Sequence, residues 1–134
     1  MRDPFMEALG LKVLHLAPGE ARVGGRVERA HLNLHGTVHG GFLYALADSA
    51  FALASNSRGP AVALSCRMDY FRPLPPGAWV EAEAVEVNLS RRTATYRVEV
   101  VSEGKLVALF TGTVFRLGGE DVPAGVGNPS QGEA

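Results

Sequence analysis

The chain has 134 residues, 46% of them hydrophobic and 20% charged, with a net charge of −1. That length fits one domain able to bury roughly two-thirds of its unfolded surface, and the near-neutral balance gives no electrostatic footprint for a nucleic-acid partner. Cys66 is the only cysteine, which excludes an internal disulfide and fits a reducing, cytoplasmic compartment.

The opening residues, Met-Arg-Asp-Pro-Phe-Met-Glu, lack the apolar core of a signal peptide. Residues 4–10 read as a short helix or turn after Pro4. Lys12 to Ala17 reads as a strand ended by the turn dipeptide Pro18-Gly19. Ala21 to Ala30 alternates weakly, and Gly24-Gly25 in its middle predicts a bulge or a tight bend. A loop over 31–39 leads into a helix from Gly40 to Ser55, stopped by Asn56-Ser-Arg-Gly-Pro60. The helix is too short for a membrane span, which needs about 20 apolar residues.

Four strands follow and read as consecutive hairpin-linked elements: Ala61 to Phe71, Trp79 to Asn88, Thr93 to Val101 and Leu106 to Leu117. In the second, Glu81, Glu83 and Glu86 are expected to face water, with a phase slip at Ala84-Val85 that suggests a β-bulge. In the third, Ala94, Tyr96, Val98 and Val100 form one face. The predicted class is α+β, an antiparallel sheet with one buried helix, in a single domain over 1–117. Residues 118–134, rich in glycine, proline and polar groups, are expected to be a disordered tail.

Gly40 to Ala54 contains no Lys, Arg or Glu, and Asp48 is its only charge. A helix apolar all round is buried. A carboxylate there must be paired, hydrogen-bonded, neutral or at a wet cleft. Asp48 is therefore either a general base or nucleophile, or a structural carboxylate bonded to backbone or to Ser49. His39-Gly40-Gly41 stands at the helix start, where N–H groups lack intrahelical partners and can stabilise an oxyanion; alternatively it is only a glycine-rich turn. Gly40 and Asp48 are eight residues apart, roughly 12 Å along a helix axis and roughly 80° around it. One small carbonyl cannot touch both from the same helix. If both act on one thioester or ester, they come from different subunits of a dimer.

His31, His35 and His39 share i, i+4, i+8 spacing, but the segment has no helical character, so loop histidines are preferred to a zinc site. Cys66, inside a strand, reads as a small core residue. Arg91-Arg92 on a turn suits a phosphate or a solvated surface, with Arg58, Arg72 and Arg116 as further members of such a patch. Phe42, Tyr44, Phe51 and Tyr70 either line an aromatic-friendly tunnel or belong to the core. No nucleophile elbow, P-loop or dinucleotide fingerprint is present.

Asn33-x-x-Gly36-x-x-His39-Gly40-Gly41, followed by Ala45-Leu-Ala-Asp48-Ser-Ala, resembles the hotdog-fold acyl-CoA thioesterases, in particular their phenylacetate-pathway branch. Asp69-Tyr-Phe-Arg-Pro73 and the Arg91-Arg92-Thr93 turn fit the same family, and the likeness covers residues 5–117. The resemblance implies a long antiparallel sheet wrapped around a central helix, dimers that pair into tetramers, and sites at the dimer interface. It implies hydrolysis of phenylacetyl-CoA or a hydroxylated relative, without metal, organic cofactor, nucleic acid or membrane. Asp48 would be the catalytic carboxylate, the Gly40 N–H would polarise the carbonyl, Asn33 would position water or substrate, and His39 would shape the helix start. Gly41, Tyr70, Arg91 and Arg92 would meet the substrate, the arginines at the coenzyme A phosphates. Two positions depart from related patterns: Ala63 stands where some relatives hold water with a serine, and Leu53 stands where hotdog hydratases carry a histidine. The alternative is a non-catalytic acyl-CoA-binding module on the same fold.

Overall fold

The computed structural model describes residues 3–118. The expected tail beyond Gly118 lies outside the described residues. A short helix, α1 (Pro4–Leu9), opens the fold. The Asp3 carboxylate caps it, accepting from the Phe5 and Met6 amides at 3.1 Å each, and Gly10 ends it in the left-handed region at φ 74°. The strands β1 (Lys12–Ala17) and β2 (Glu20–Arg26) follow, then a 3-10 turn (Arg29–His31) and the long helix α2 (Gly40–Asn56). Four strands complete the described residues: β3 (Ala61–Tyr70), β4 (Trp79–Leu89), β5 (Thr93–Ser102) and β6 (Lys105–Arg116).

All six strands form one antiparallel sheet in the order β1-β2-β4-β5-β6-β3. The hairpin chain expected from β3 onward therefore breaks once. β3 does not pair with β4 but crosses to lie against β6, with Cys66 opposite Gly112 and Tyr70 opposite Ala108. The proline-rich connection from Pro73 to Gly77 is too long and stiff for a tight hairpin, so β4 is free to join β2. This order leaves β3 and β1 as the two edges.

The glycines of β2 do not make the expected bulge, because pairing with β4 runs unbroken from Glu20–Val85 to Arg26–Trp79. Close approach explains Gly24 instead: a Cβ there would lie 2.5 Å from the Trp79 ring. The slip expected at Ala84-Val85 falls further on, between Glu86 and Asn88. As a result Val80, Ala82 and Ala84 stay on the buried face, while Val85 and Val87 face outward. Glu86 does not face water either. Its carboxylate takes Arg58 Nε and Nη2 at 3.2 Å and the Tyr96 hydroxyl at 2.9 Å. Its buried charge is thereby paired and hydrogen-bonded, as a buried carboxylate requires.

The sheet curls around α2. Leu46, Ala47, Ala50 and Ala54 are fully buried, and these small residues bring the helix axis close to the strands. Phe51 packs against Tyr96 and Phe110 and closes over Gly112, where a Cβ would meet its ring at 2.7 Å. Burying such a ring contributes roughly 1.5–3 kcal/mol. One stripe of the helix stays open: Gly41, Tyr44, Ala52 and Asn56 are exposed and Asp48 is half-buried. Steps of three and four residues place these on one face. No helix among the described residues is long and apolar enough to cross a membrane.

Candidate active site

The loop before α2 is built on Asn33. Its Oδ1 accepts from the His35 and Thr37 amides at 2.8 and 3.2 Å, and its Nδ2 donates to Thr37 Oγ1 and the Val38 carbonyl at 3.1 and 3.3 Å. Both ends of the amide are spent on this turn, which aims the chain at the helix start. His31 closes the segment from the other side: its ring stacks on Phe42 at a centroid distance of 4.0 Å, and its Nδ1 accepts from the Glu28 amide. His35 is exposed. Among the described residues no three histidine, cysteine or carboxylate groups gather as a metal site would require.

His39 is the N-cap of α2, and its Nδ1 accepts the Gly41 N–H at 2.8 Å. An accepting Nδ1 places the ring proton on Nε2 of a neutral imidazole. The His39 carbonyl takes the Phe42 and Leu43 amides at 3.0 and 3.4 Å. Of the first helical donors, only the Gly40 N–H has no acceptor among the described residues. Gly41 is held by its cap, since a Cβ there would lie 3.0 Å from His39 Nδ1. Gly40 is different. Its φ is not positive, and an added Cβ would meet nothing nearer than the Tyr70 ring at 3.4 Å. The fold itself does not demand glycine at position 40.

Tyr70, at the end of β3, donates its hydroxyl to the Gly40 carbonyl at 3.2 Å. Asn33, Gly40, Tyr70 and Arg72 line a cleft of about 300 Å³ beside the helix start. Arg72 spends only its Nε, on the Leu106 carbonyl.

Asp48 lies two turns along, on the open stripe. No hydrogen bond reaches its carboxylate from the described residues. Of the two structural alternatives, backbone or Ser49, neither bond is made among the described residues, and the Ser49 hydroxyl donates instead to the Ala45 carbonyl at 2.7 Å. Burial raises the carboxyl above its ordinary value, and the negative charge of Asp3 adds to the rise. Tyr44, one turn before Asp48, has the Cys66 thiol as a neighbour, and the two interact electrostatically. The Tyr44 phenol is pushed up to about 12, chiefly by that interaction and then by burial. The sequence reading put Tyr44 in a tunnel wall or the core and Cys66 in the core, whereas Tyr44 is exposed and Cys66 half-buried. The i+4 step from Tyr44 to Asp48 was the signal that these two share a face.

The structure brings Asn33, His39, Gly40, Gly41 and Tyr70 together and leaves Asp48 apart on the same helix. Arg91 and Arg92 are exposed on the β4–β5 turn, where the Arg92 carbonyl accepts the Arg116 amide. That turn adjoins the far end of α2. Arg58 there is committed to Glu86, and Arg116 is buried with its guanidinium on the Ser90 and Arg58 carbonyls. Arg72, at the Gly40 end, is the cation beside the cleft, so the five arginines form no single patch.

A model of the thioesterase superfamily matches residues 35–109. The acyl-coenzyme A thioesterase PaaI of Escherichia coli is 40% identical over 119 residues, covering 87% of this chain and 85% of that protein. Its solved structure superposes with a TM-score of 0.84 at 39% identity, over 86% of this chain and 85% of the other. A mutant of the phenylacetic acid degradation protein PaaI from Thermus thermophilus is 89% identical, with a TM-score of 0.85 over 86% of this chain and 100% of that one. The chain belongs to the thioesterase superfamily, on the hotdog fold that its sheet and single central helix define. It is a thioester hydrolase of the PaaI type, an enzyme rather than a binding module.

Proposed function

We propose that the chain hydrolyses acyl-CoA thioesters, with phenylacetyl-CoA or a hydroxylated phenylacetyl-CoA as substrate, in sites shared between two protomers. The observation that carries the reading is the Gly40 N–H. It is an unpaired donor at a helix N-terminus, at a glycine that neither backbone angle nor internal packing requires. A donor so placed polarises a carbonyl and stabilises the oxyanion formed from it. The names of the relatives support coenzyme A as the leaving group and a phenylacetyl acyl part.

In the proposed reaction the thioester oxygen accepts from Gly40 of one protomer while Asp48 of the other works on the acyl carbon. Asp48 either takes a proton from the attacking water or itself attacks, forming an anhydride that water opens. In both routes the carbon–sulfur bond breaks, the sulfur leaves as thiolate and takes up a proton, and the ionised carboxylate is the working form. His39 shapes the donor, Asn33 holds the loop that presents it, and Gly41 gives substrate room to approach. Arg91 and Arg92, exposed and without an ion pair among the described residues, suit the phosphates of coenzyme A bound from a neighbouring protomer.

The same geometry supports a dimer. Continuous helix from Gly40 to Asn56 keeps the donor and the carboxylate roughly 12 Å apart within one chain. β3 offers an edge with Val62 50% and Leu64 59% exposed, next to the open helix stripe. An unpaired apolar edge recruits another strand. Pairing of dimers into tetramers is part of the proposal.

Gly40→Pro tests the donor directly. His39 is extended at φ −71°, ψ 137°, a conformation that precedes proline readily. Proline is favoured at the first helical position, where its missing N–H costs nothing structurally. The variant should fold and melt like the wild type yet lose about 100- to 1,000-fold in kcat. Coenzyme A release is followed over a panel of aryl and alkyl thioesters. Wild-type turnover with Gly40→Pro removes the donor from the mechanism, and a flat wild-type profile across the panel removes the phenylacetyl preference.

A further inference from the structure

We infer that Tyr70 is a positioning residue for catalysis, whose hydroxyl pins the peptide next to the Gly40 donor and so sets the direction of that N–H; the inference rests on the oxyanion role proposed for Gly40. Two consecutive peptides meet at Gly40 and carry four polar atoms. The His39 carbonyl is taken by the Phe42 and Leu43 amides. The Gly41 N–H is taken by His39 Nδ1 at 2.8 Å, and the Gly40 carbonyl receives the Tyr70 hydroxyl at 3.2 Å. Only the Gly40 N–H remains. Its direction is therefore set by these four bonds together with the intrahelical bond that the Gly40 carbonyl, as the first helical residue, accepts from the Tyr44 amide.

These bonds are not equivalent. Those of His39 are local, closing within four residues of chain, and a glycine pair inside such a turn retains much backbone freedom. Tyr70 reaches across 30 residues. It is the only side chain of the sheet bonded to the first turn of α2 among the described residues. It ties the donor to β3, the edge strand at which the second protomer is proposed to dock. Of the bonds that hold the donor, this hydroxyl is the one that refers its angle to the sheet and so to the edge where the second protomer is proposed to dock. Burial raises the Tyr70 phenol, so it stays protonated and able to donate across the neutral range.

A substrate-contact role would look different. Tyr70 is 50% exposed at the cleft and its ring could serve as a wall for the acyl-CoA. Tyr70→Phe keeps the ring and removes only the hydroxyl. Loss of positioning lowers transition-state stabilisation without touching ground-state binding. The expected result is a fall of about tenfold in kcat, with KM changed by less than about twofold and the melting temperature unchanged. Tyr70→Leu, which removes ring and hydroxyl together, should lower kcat equally and also raise KM.

Steady-state release of coenzyme A from one aryl-CoA substrate by the wild type, the two Tyr70 variants and Gly40→Pro decides it. Unchanged kcat in Tyr70→Phe overturns the inference, as does a loss confined to KM, which makes Tyr70 a substrate contact. If Gly40→Pro keeps wild-type kcat while Tyr70→Phe is slow, the oxyanion reading of Gly40 fails and this inference with it. If Gly40→Pro is slow and Tyr70→Phe is not, only the positioning role fails.

Discussion

Asp48 carries a cost that the fold does not offset. Its carboxyl is raised above the ordinary 3.8 by burial and by Asp3, and no described group bonds it. Below that ordinary value the group is protonated in both folded and unfolded chains, so the cost is absent. As pH rises through the raised folded value, the native protein must ionise a half-buried carboxylate and loses stability relative to the unfolded chain. Asp48→Asn, neutral throughout, should therefore melt higher than wild type at pH 7, with the difference vanishing below about pH 4. The same variant should lose at least about 100-fold in turnover. The acid limb of wild-type kcat/KM should lie above the usual carboxylate range. Melting curves and rates across pH check all three, and equal melting at pH 7 would mean that assembly supplies Asp48 with a partner. Stability surrendered at a working residue is the usual sign of function.

Helix α2 shows how far the chain could be read without coordinates. Its span was legible because an apolar run bounded by Gly-Gly and Asn-Ser-Arg-Gly-Pro leaves little choice of length. Asp48 was legible as the one charge in that run. The cap was half legible: His39 stood in the right place, but that its ring accepts the Gly41 amide depends on a rotamer no spacing reveals. His39→Ala should cost about 1 kcal/mol of stability, as loss of an N-cap does, and should slow turnover as the donor frays. Denaturant titration beside steady-state rates tests this, and a stable but slow variant would give His39 a direct role instead. Strand pairing was not legible where it depended on distant partners. β3 has a good strand pattern, yet nothing local says that its neighbour is β6. Glu86 read as a water-facing residue because alternation alone cannot see Arg58, 28 positions away, arriving to pair with it.

At the scale of the whole molecule, separation within one chain becomes complementarity between two. If each site takes Gly40 from one protomer and Asp48 from the other, Asp48→Asn and Gly40→Pro chains fail for different reasons. Refolded together, each mixed dimer holds one site with both defects and one with neither. Random mixing should restore about a quarter of wild-type activity, although each parent is nearly inactive. Recovery indistinguishable from the sum of the parents would place both groups in a single protomer's site. The way α2 is held bears on how such a site works. Its tail is anchored on several sides: the Ser57 hydroxyl donates to the Ala54 carbonyl and accepts the Gly19 amide, Asn56 takes the Ala61 amide, and Arg58 is paired with Glu86. Its head is held by the His39 cap and the Tyr70 hydroxyl, and by Phe42 and Leu43, which are buried in the core, with His31 stacked on Phe42. The helix is a lever about its anchor at Asn56, with Gly40 at the far end and Asp48 midway. A rotation about that anchor would displace the donor, sixteen residues away, about twice as far as the carboxylate, eight residues away.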